Sequence, residues 1–162
     1  MKKERLQFDF EVYDSIKELT VEDQLLLNKA IEATGIAYAP YSFFKVGAAA
    51  RMKNGEYVLG ANQENASFPA GLCAERVALA SASTLYPGIP IDTLAISYIP
   101  ATGSGNRPIS PCGICRQSLQ EFSFRTGSPI RLILGGARGE IYILPDAAAL
   151  LPLAFTSEEL RS

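Results

Sequence analysis

The chain has 162 residues, 48% of them hydrophobic and 20% charged, with 15 basic against 17 acidic side chains and a net charge of −2. That length and balance fit one compact domain; they exclude a disordered chain, a collagen-like repeat and a coiled coil, and leave no electrostatic footprint for a nucleic-acid polymer. No histidine is present, which excludes Ser-His-Asp hydrolases, Cys-His proteases and histidine-based metalloproteases, so catalysis falls to carboxylates, thiolates, Lys, Arg or Tyr.

The basic start Met1-Lys2-Lys3-Glu4-Arg5 is followed by Asp9, Glu11 and Asp14 rather than an apolar run, so it does not read as a secretion signal. Thr20-Val21-Glu22-Asp23 resembles a capping box, and Leu25, Leu26, Ala30 and Ile31 recur at helical spacing until Gly35, which predicts a helix over 21–33. Residues 44–52 and 57–60 read as strands joined at Asn54-Gly55, a pair suited to a type I′ turn. The Ala- and Leu-rich stretch 73–85 has no Gly or Pro before Pro87-Gly88 and reads as a buried helix. A strand over 94–99, a Gly- and Pro-containing loop over 100–111, a helix over 112–123 and strands over 129–134 and 140–144 complete the pattern. A hairpin followed by strand–helix units predicts an α/β fold: a three-layer α/β/α sandwich on a mixed five-stranded sheet. One domain is expected over 1–162, with about the first 15 residues and the C-terminal tail peripheral. The apolar stretch 147–155 is broken by Pro152 and falls far short of the roughly 18–20 residues of a membrane span, so no membrane partner and a cytoplasmic location are expected.

The chemistry is concentrated in Cys73-Ala74-Glu75-Arg76 and Pro111-Cys112-Gly113-Ile114-Cys115, which hold all three cysteines. An odd number cannot form a complete disulfide framework and favours a reducing compartment with metal-binding or catalytic thiols. Both segments open predicted helices, where unpaired N–H groups and the helix dipole favour thiolates. Cys73, Cys112 and Cys115 would supply three corners of a tetrahedral zinc site, and with no histidine and no fourth cysteine the last corner is open, the arrangement that acidifies water. Glu75, two residues past Cys73, would carry protons. Arg76 or Arg116 would offset the negative charge of three thiolates by hydrogen-bonding a sulfur.

Cys-x-Glu followed by Pro-Cys-x-x-Cys is similar to the zinc nucleobase deaminases, the handling of whose bases and metal is well understood in general terms. More closely, the chain resembles the small homotetrameric cytidine deaminases, on five words in order: Ala39-Pro40-Tyr41-Ser42, Val46-Gly47-Ala48-Ala49, Asn62-Gln63-Glu64-Asn65-Ala66, the Cys73 segment, and Pro111-Cys112-Gly113-Ile114-Cys115-Arg116-Gln117. The resemblance spans about residues 16–160 and implies a cytidine deaminase-like fold, one Zn2+ per chain and hydrolysis of cytidine and 2′-deoxycytidine to the uridines with release of ammonia, in pyrimidine salvage. It also implies that Phe44 lines the nucleoside pocket, that Asn62 and Glu64 lie on the ribose 3′-hydroxyl side, and that Phe155 enters a neighbouring subunit's site in a homotetramer. Lys45 stands where the family usually has proline, and the loop 100–110 is longer than common.

Other readings of the same residues are a redox dithiol at Cys112 and Cys115, three cysteines of the core, and helix- or strand-terminal roles for Glu75, Asn62 and Glu64. A deaminase of nucleoside-like antibiotics, an RNA cytosine deaminase, disfavoured by the pI of about 5.2, and a silent zinc or nucleoside-binding module are the rival functions.

Overall fold

The structure is a computed structural model and describes residues 1–160. Its frame is one mixed sheet of strands β1 (Glu11–Tyr13), β2 (Lys45–Met52), β3 (Tyr57–Ala61), β4 (Ile91–Ile99), β5 (Arg131–Gly135) and β6 (Ile141–Leu144), in the order β1-β6-β5-β4-β2-β3. β4 and β5 run parallel, and each other neighbouring pair is antiparallel. The helices are α1 (Val21–Ala33), α2 (Ala74–Leu85) and α3 (Gly113–Thr126).

Strand side chains alternate between two apolar clusters, as the period of a pleated strand requires. Ala48, Ala50, Leu94, Ile96, Leu132 and Leu134 pack with Ala78, Leu79 and Ala82 of α2 and with Leu119 and Phe122 of α3. Their neighbours Ala49, Ala95 and Ile133 pack with Leu26, Leu27 and Ala30 of α1. Strands buried on both sides read as continuous apolar runs, which is why 94–96 and 132–134 lack polar residues. Small residues then set how close a helix comes. A Cβ on Gly47 would lie 2.1 Å from the Ala30 carbonyl oxygen of α1, and one on Gly60 would lie 2.3 Å from the Ala74 oxygen of α2, so only glycine lets either backbone approach.

The sheet has six strands where the sequence pattern suggests five. The added one is β1, paired with β6 in the register Val12↔Tyr142, so residues 11–13 belong to the sheet rather than to a peripheral leader. Three residues are too few to show a period; the strand is held by Tyr13 packing on the α1 cluster. The 52–56 connection also differs from the expected type I′ turn. Only Gly55 has positive φ, at 88°, while the Gly55 N–H donates to the Met52 oxygen at 2.9 Å and the Met52 N–H to Glu56 at 2.8 Å. The loop is therefore the three-residue form Lys53-Asn54-Gly55, closed by a glycine in the left-handed region.

Helix α1 begins as expected at Thr20, whose hydroxyl accepts from the Asp23 N–H at 3.2 Å. The reciprocal half of the capping box is absent, because the Asp23 carboxylate turns instead to Arg131 of β5 in a two-pronged pair of 2.7 and 2.9 Å. Burial alone would push the Asp23 carboxyl up, but the Arg131 hydrogen bonds and charge hold it below its ordinary value. A depressed carboxylate stabilises the fold above its unfolded pKa of about 4, and that contribution is lost as the pH falls through the folded value. Asp23→Asn should cost about 1–3 kcal/mol near neutral pH, and the difference from the parent should shrink in urea titrations below about pH 4. A constant difference at all pH values would show that the ion pair is not its source.

Candidate active site

The site grows from two helix starts. Cys73 is the N-cap of α2 and Cys112 the N-cap of α3; their carbonyls accept the first helical bonds, from Val77 at 3.1 Å and Arg116 at 3.0 Å, while neither thiol caps its helix. Both sulfurs are thus free to face elsewhere. Gly60 brings the α2 start down onto β3, and Cys115 lies one turn into α3, pointing back toward Cys112. The three sulfurs lie within 4.8 Å of one another, with Cys73–Cys112 at 3.7 Å and Cys112–Cys115 at 3.4 Å. A tetrahedral zinc with Zn–S bonds of about 2.3 Å would hold its sulfurs about 3.8 Å apart, so the set fits that ion closely.

Hydrogen bonding within the cluster readies one thiol as a thiolate at the expense of another. Hydrogen bonding from Cys115 draws the Cys73 thiol down to about 6, and the same contact, with burial, pushes Cys115 up. Arg76 also lowers Cys73 through its charge. Glu75, in the first turn of α2, is only 5% exposed, and that burial raises its carboxyl above the ordinary value against the pull of its own backbone N–H and of Cys115. A buried carboxyl raised by its surroundings and set beside a cluster of metal-ligating thiols has the character of a functional acid–base group.

A cleft of about 390 Å³ opens on this cluster, with Cys73, Glu75, Cys112, Asn62, Glu64 and Val46 in its wall. Asn62 and Glu64 also organise the neighbouring loop. The Asn62 side chain accepts from the Val46 N–H at 2.8 Å and donates to the Phe44 oxygen at 2.9 Å, continuing the sheet edge. Glu64 accepts from the Tyr41 N–H at 2.9 Å, the Ser42 N–H at 3.2 Å and the Ser42 hydroxyl; these bonds, the hydroxyl's first, hold its carboxyl below the ordinary range. Phe44 is not in the cleft wall but stacks on Tyr98 of β4, with centroids 5.2 Å apart and planes at 24°. Lys45 precedes Val46 and so points to the other face of β2, away from the cleft.

The remaining expected residues sit around rather than in the cleft. Arg116 hydrogen-bonds no sulfur; its Nε donates to the Pro111 oxygen at 2.9 Å and its Nη1 to the Leu150 oxygen at 3.0 Å, tying the Cys112 approach to the C-terminal segment. Arg76 and Phe155 line a separate groove between α2 and α3, where Gln117 donates to the Phe155 oxygen at 2.9 Å. The apolar stretch 147–155 divides: Ala147 is buried and Leu150 packs on the core, while Leu153 and Phe155 are exposed. Sequence reasoning missed Ser42, Tyr98 and Ile109. Ser42 lies inside the Ala39-Pro40-Tyr41-Ser42 word, but Tyr98 reads as an ordinary strand aromatic and Ile109 lies in an irregular loop.

Residues 20–127 match the model of the cytidine and deoxycytidylate deaminase zinc-binding region, a span that contains all three cysteines and Glu75. The chain belongs to this family. It is 41% identical over 141 residues to a cytidine deaminase of Halalkalibacterium halodurans, covering 87% of this chain and 99% of that one. A cytidine deaminase of Sporosarcina psychrophila is 34% identical over 135 residues, 83% of this chain and 92% of the other. Among solved structures, the cytidine deaminase from Burkholderia pseudomallei superposes with a TM-score of 0.71 at 38% identity, covering 85% of this chain and all of that one. That from Mycobacterium tuberculosis gives 0.64 at 33% identity, with 84% and 98% covered.

A zinc-binding family and a three-sulfur cluster of tetrahedral spacing identify the metal as zinc, one ion per chain. Thiolate ligands from two helices also make the ion a cross-link in the fold. Purified protein should carry close to one zinc per chain by elemental analysis, and Cys112→Ser should lose most of it. Stripping the metal with a strong chelator should lower the melting temperature, and re-addition of zinc should restore it.

Proposed function

We propose that this deaminase-family protein hydrolyses cytidine and 2′-deoxycytidine to uridine and 2′-deoxyuridine, releasing ammonia, as a step of pyrimidine salvage. The observation that carries the reading is the buried Glu75 carboxyl in the wall of the same cleft as the sulfur cluster. Cys73, Cys112 and Cys115 hold the zinc, which when bound supplies Lewis acidity to lower the pKa of the attacking water. Glu75 takes a proton from that water and delivers it to ring N3, which makes C4 electrophilic. After addition at C4, Glu75 collects the second proton and gives it to the departing amine, leaving the C4 carbonyl. The raised Glu75 carboxyl supports this role, because a group that must both accept and donate works best near the operating pH.

Asn62 and Glu64 face the ribose hydroxyls in this reading, and Phe44, stacked on Tyr98 beside the cleft rather than in its wall, backs the nucleoside; Arg76 supports the cluster by its charge and Arg116 through the Pro111 and Leu150 backbone. Internal hydrogen bonds leave Asn62 one N–H and one lone pair, and Glu64 one lone pair on Oε1, for a sugar hydroxyl. Residues 1–160 of the expected 1–162 domain form one unit in this reading, the last two lying outside the described residues, with helices on both sides of the sheet in the manner of a three-layer α/β/α sandwich, and the enzyme works in the cytoplasm as a homotetramer with shared sites. Support for the assembly comes from Phe155: in its own chain it lies outside the cleft, and with Leu153 it stays exposed.

Glu75→Gln should keep zinc and lose at least about 10²–10⁴-fold in kcat, read as loss of ammonia release from cytidine. A loss below tenfold would remove Glu75 from proton transfer. Subunits carrying Glu75→Gln, co-assembled with subunits carrying Phe155→Ala, should regain activity above either parent if Phe155 acts across the interface. No recovery in proven mixed assemblies would restrict Phe155 to its own chain.

A further inference from the structure

Tyr98 joins two parts of the molecule that the chemistry above treats separately. It is the last inward-facing residue of β4, on the same side of the sheet as Val46 in the cleft wall, and only 8% exposed. One side of its ring stacks on Phe44, and its hydroxyl donates to the Arg107 carbonyl at 2.9 Å. Arg107 stands two residues before Ile109, which with Ser110 forms part of the cleft wall and packs on the core cluster beneath. The start of the same loop is clamped elsewhere. A Cβ on Gly136 would lie 1.8 Å from the Gly105 oxygen, and one on Gly139 would lie 2.3 Å from the Asn106 oxygen, so the 105–106 backbone rests directly on the 136–139 turn.

From this geometry we infer that Tyr98 is a positioning residue for substrate binding: it fixes Phe44 through its ring and the 107–110 wall through its hydroxyl. The inference rests on the proposed deaminase reading. With both anchors in place the wall is ordered before substrate arrives. Without the hydroxyl, the cost of ordering 107–110 moves into the binding step, up to the strength of one neutral hydrogen bond. The chemical step depends on Glu75 and the sulfur cluster, which Tyr98 does not hydrogen-bond, so the effect falls on KM and spares kcat.

Tyr98→Phe keeps the ring and the stack and removes only the hydroxyl. Its KM for cytidine should rise about two- to tenfold, the range of one such bond, with kcat within about twofold. Amide hydrogen exchange should speed up across 105–110 and remain at the parent rate in α2 and α3. Gly136→Ala, which pushes the loop from its other anchor, should shift KM in the same direction. A parental KM or parental exchange in Tyr98→Phe overturns the inference, as does an equal fall in kcat with a lowered melting temperature, which would reduce Tyr98 to a packing residue. If the parent protein itself does not turn over cytidine, the deaminase reading fails, and the exchange comparison still decides whether Tyr98 orders the loop.

Discussion

Everything at the site depends on two helices starting at one point. The N-cap is where a chain leaves extended backbone with several N–H groups unclaimed, and a residue there need not give its side chain to its own helix. Here both N-caps are cysteines, and both thiols look away from their helices toward a common centre. Two positive helix ends would repel if left bare, while three thiolates and a carboxylate packed together would repel more strongly. Each set of charges therefore stabilises the other, and a divalent cation completes the balance. Gly60 makes the meeting possible, since any larger residue would lift the α2 backbone from β3 and carry Cys73 and Glu75 with it.

The same constraint explains the character of Glu75. A carboxylate in the first turn of a helix would ordinarily be lowered by the backbone N–H groups around it. Burial beneath the cleft works the other way and dominates, so the carboxyl stands above its ordinary value. Arg116 is excluded from this balance by its bonds to Pro111 and Leu150. It acts instead through the backbone, steadying the extended residue that feeds Cys112 into α3, whereas Arg76 reaches the cluster by charge alone.

The helices, the central strands and the sulfur cluster were legible in the sequence because each leaves a local mark: Thr20 before an apolar period, unbroken apolar runs in doubly buried strands, and Cys-x-Glu with Cys-x-x-Cys at helix starts. What was not legible depends on partners far away in the chain. β1 exists only because β6 offers it an edge, and the second half of the α1 capping box fails only because Arg131, 108 residues on, competes for Asp23. Asn54-Gly55 looked like a two-residue turn, yet the pairing of Met52 with Glu56 sets the loop length. The stack of Phe44 on Tyr98 leaves no mark at all, since each residue separately reads as a strand aromatic.

The loop before β2 shows how an unfavourable backbone is held in place at such a site. Phe43 has a φ of 56°, in the left-handed region that a bulky side chain reaches at a cost of about 1–3 kcal/mol, and its own ring is mostly exposed and offers little in return. The offset comes from its neighbours. The Phe43 N–H donates to the Ala39 oxygen at 3.1 Å, Glu64 collects the Tyr41 and Ser42 N–H groups, the Ser42 hydroxyl accepts from the Phe44 N–H at 3.0 Å, and Asn62 holds the Phe44 oxygen. Several hydrogen bonds of about 1 kcal/mol each, one of their partners charged, are enough to over-determine a single strained residue. The reversal of the chain at Phe43 is what lets Phe44 lie on Tyr98 while Val46, two residues on, enters the cleft wall. Asn62 and Glu64 therefore serve the cleft twice, as its polar wall and as the clamp that keeps the neighbouring aromatic residue in position, and a substitution at either would disturb both roles together.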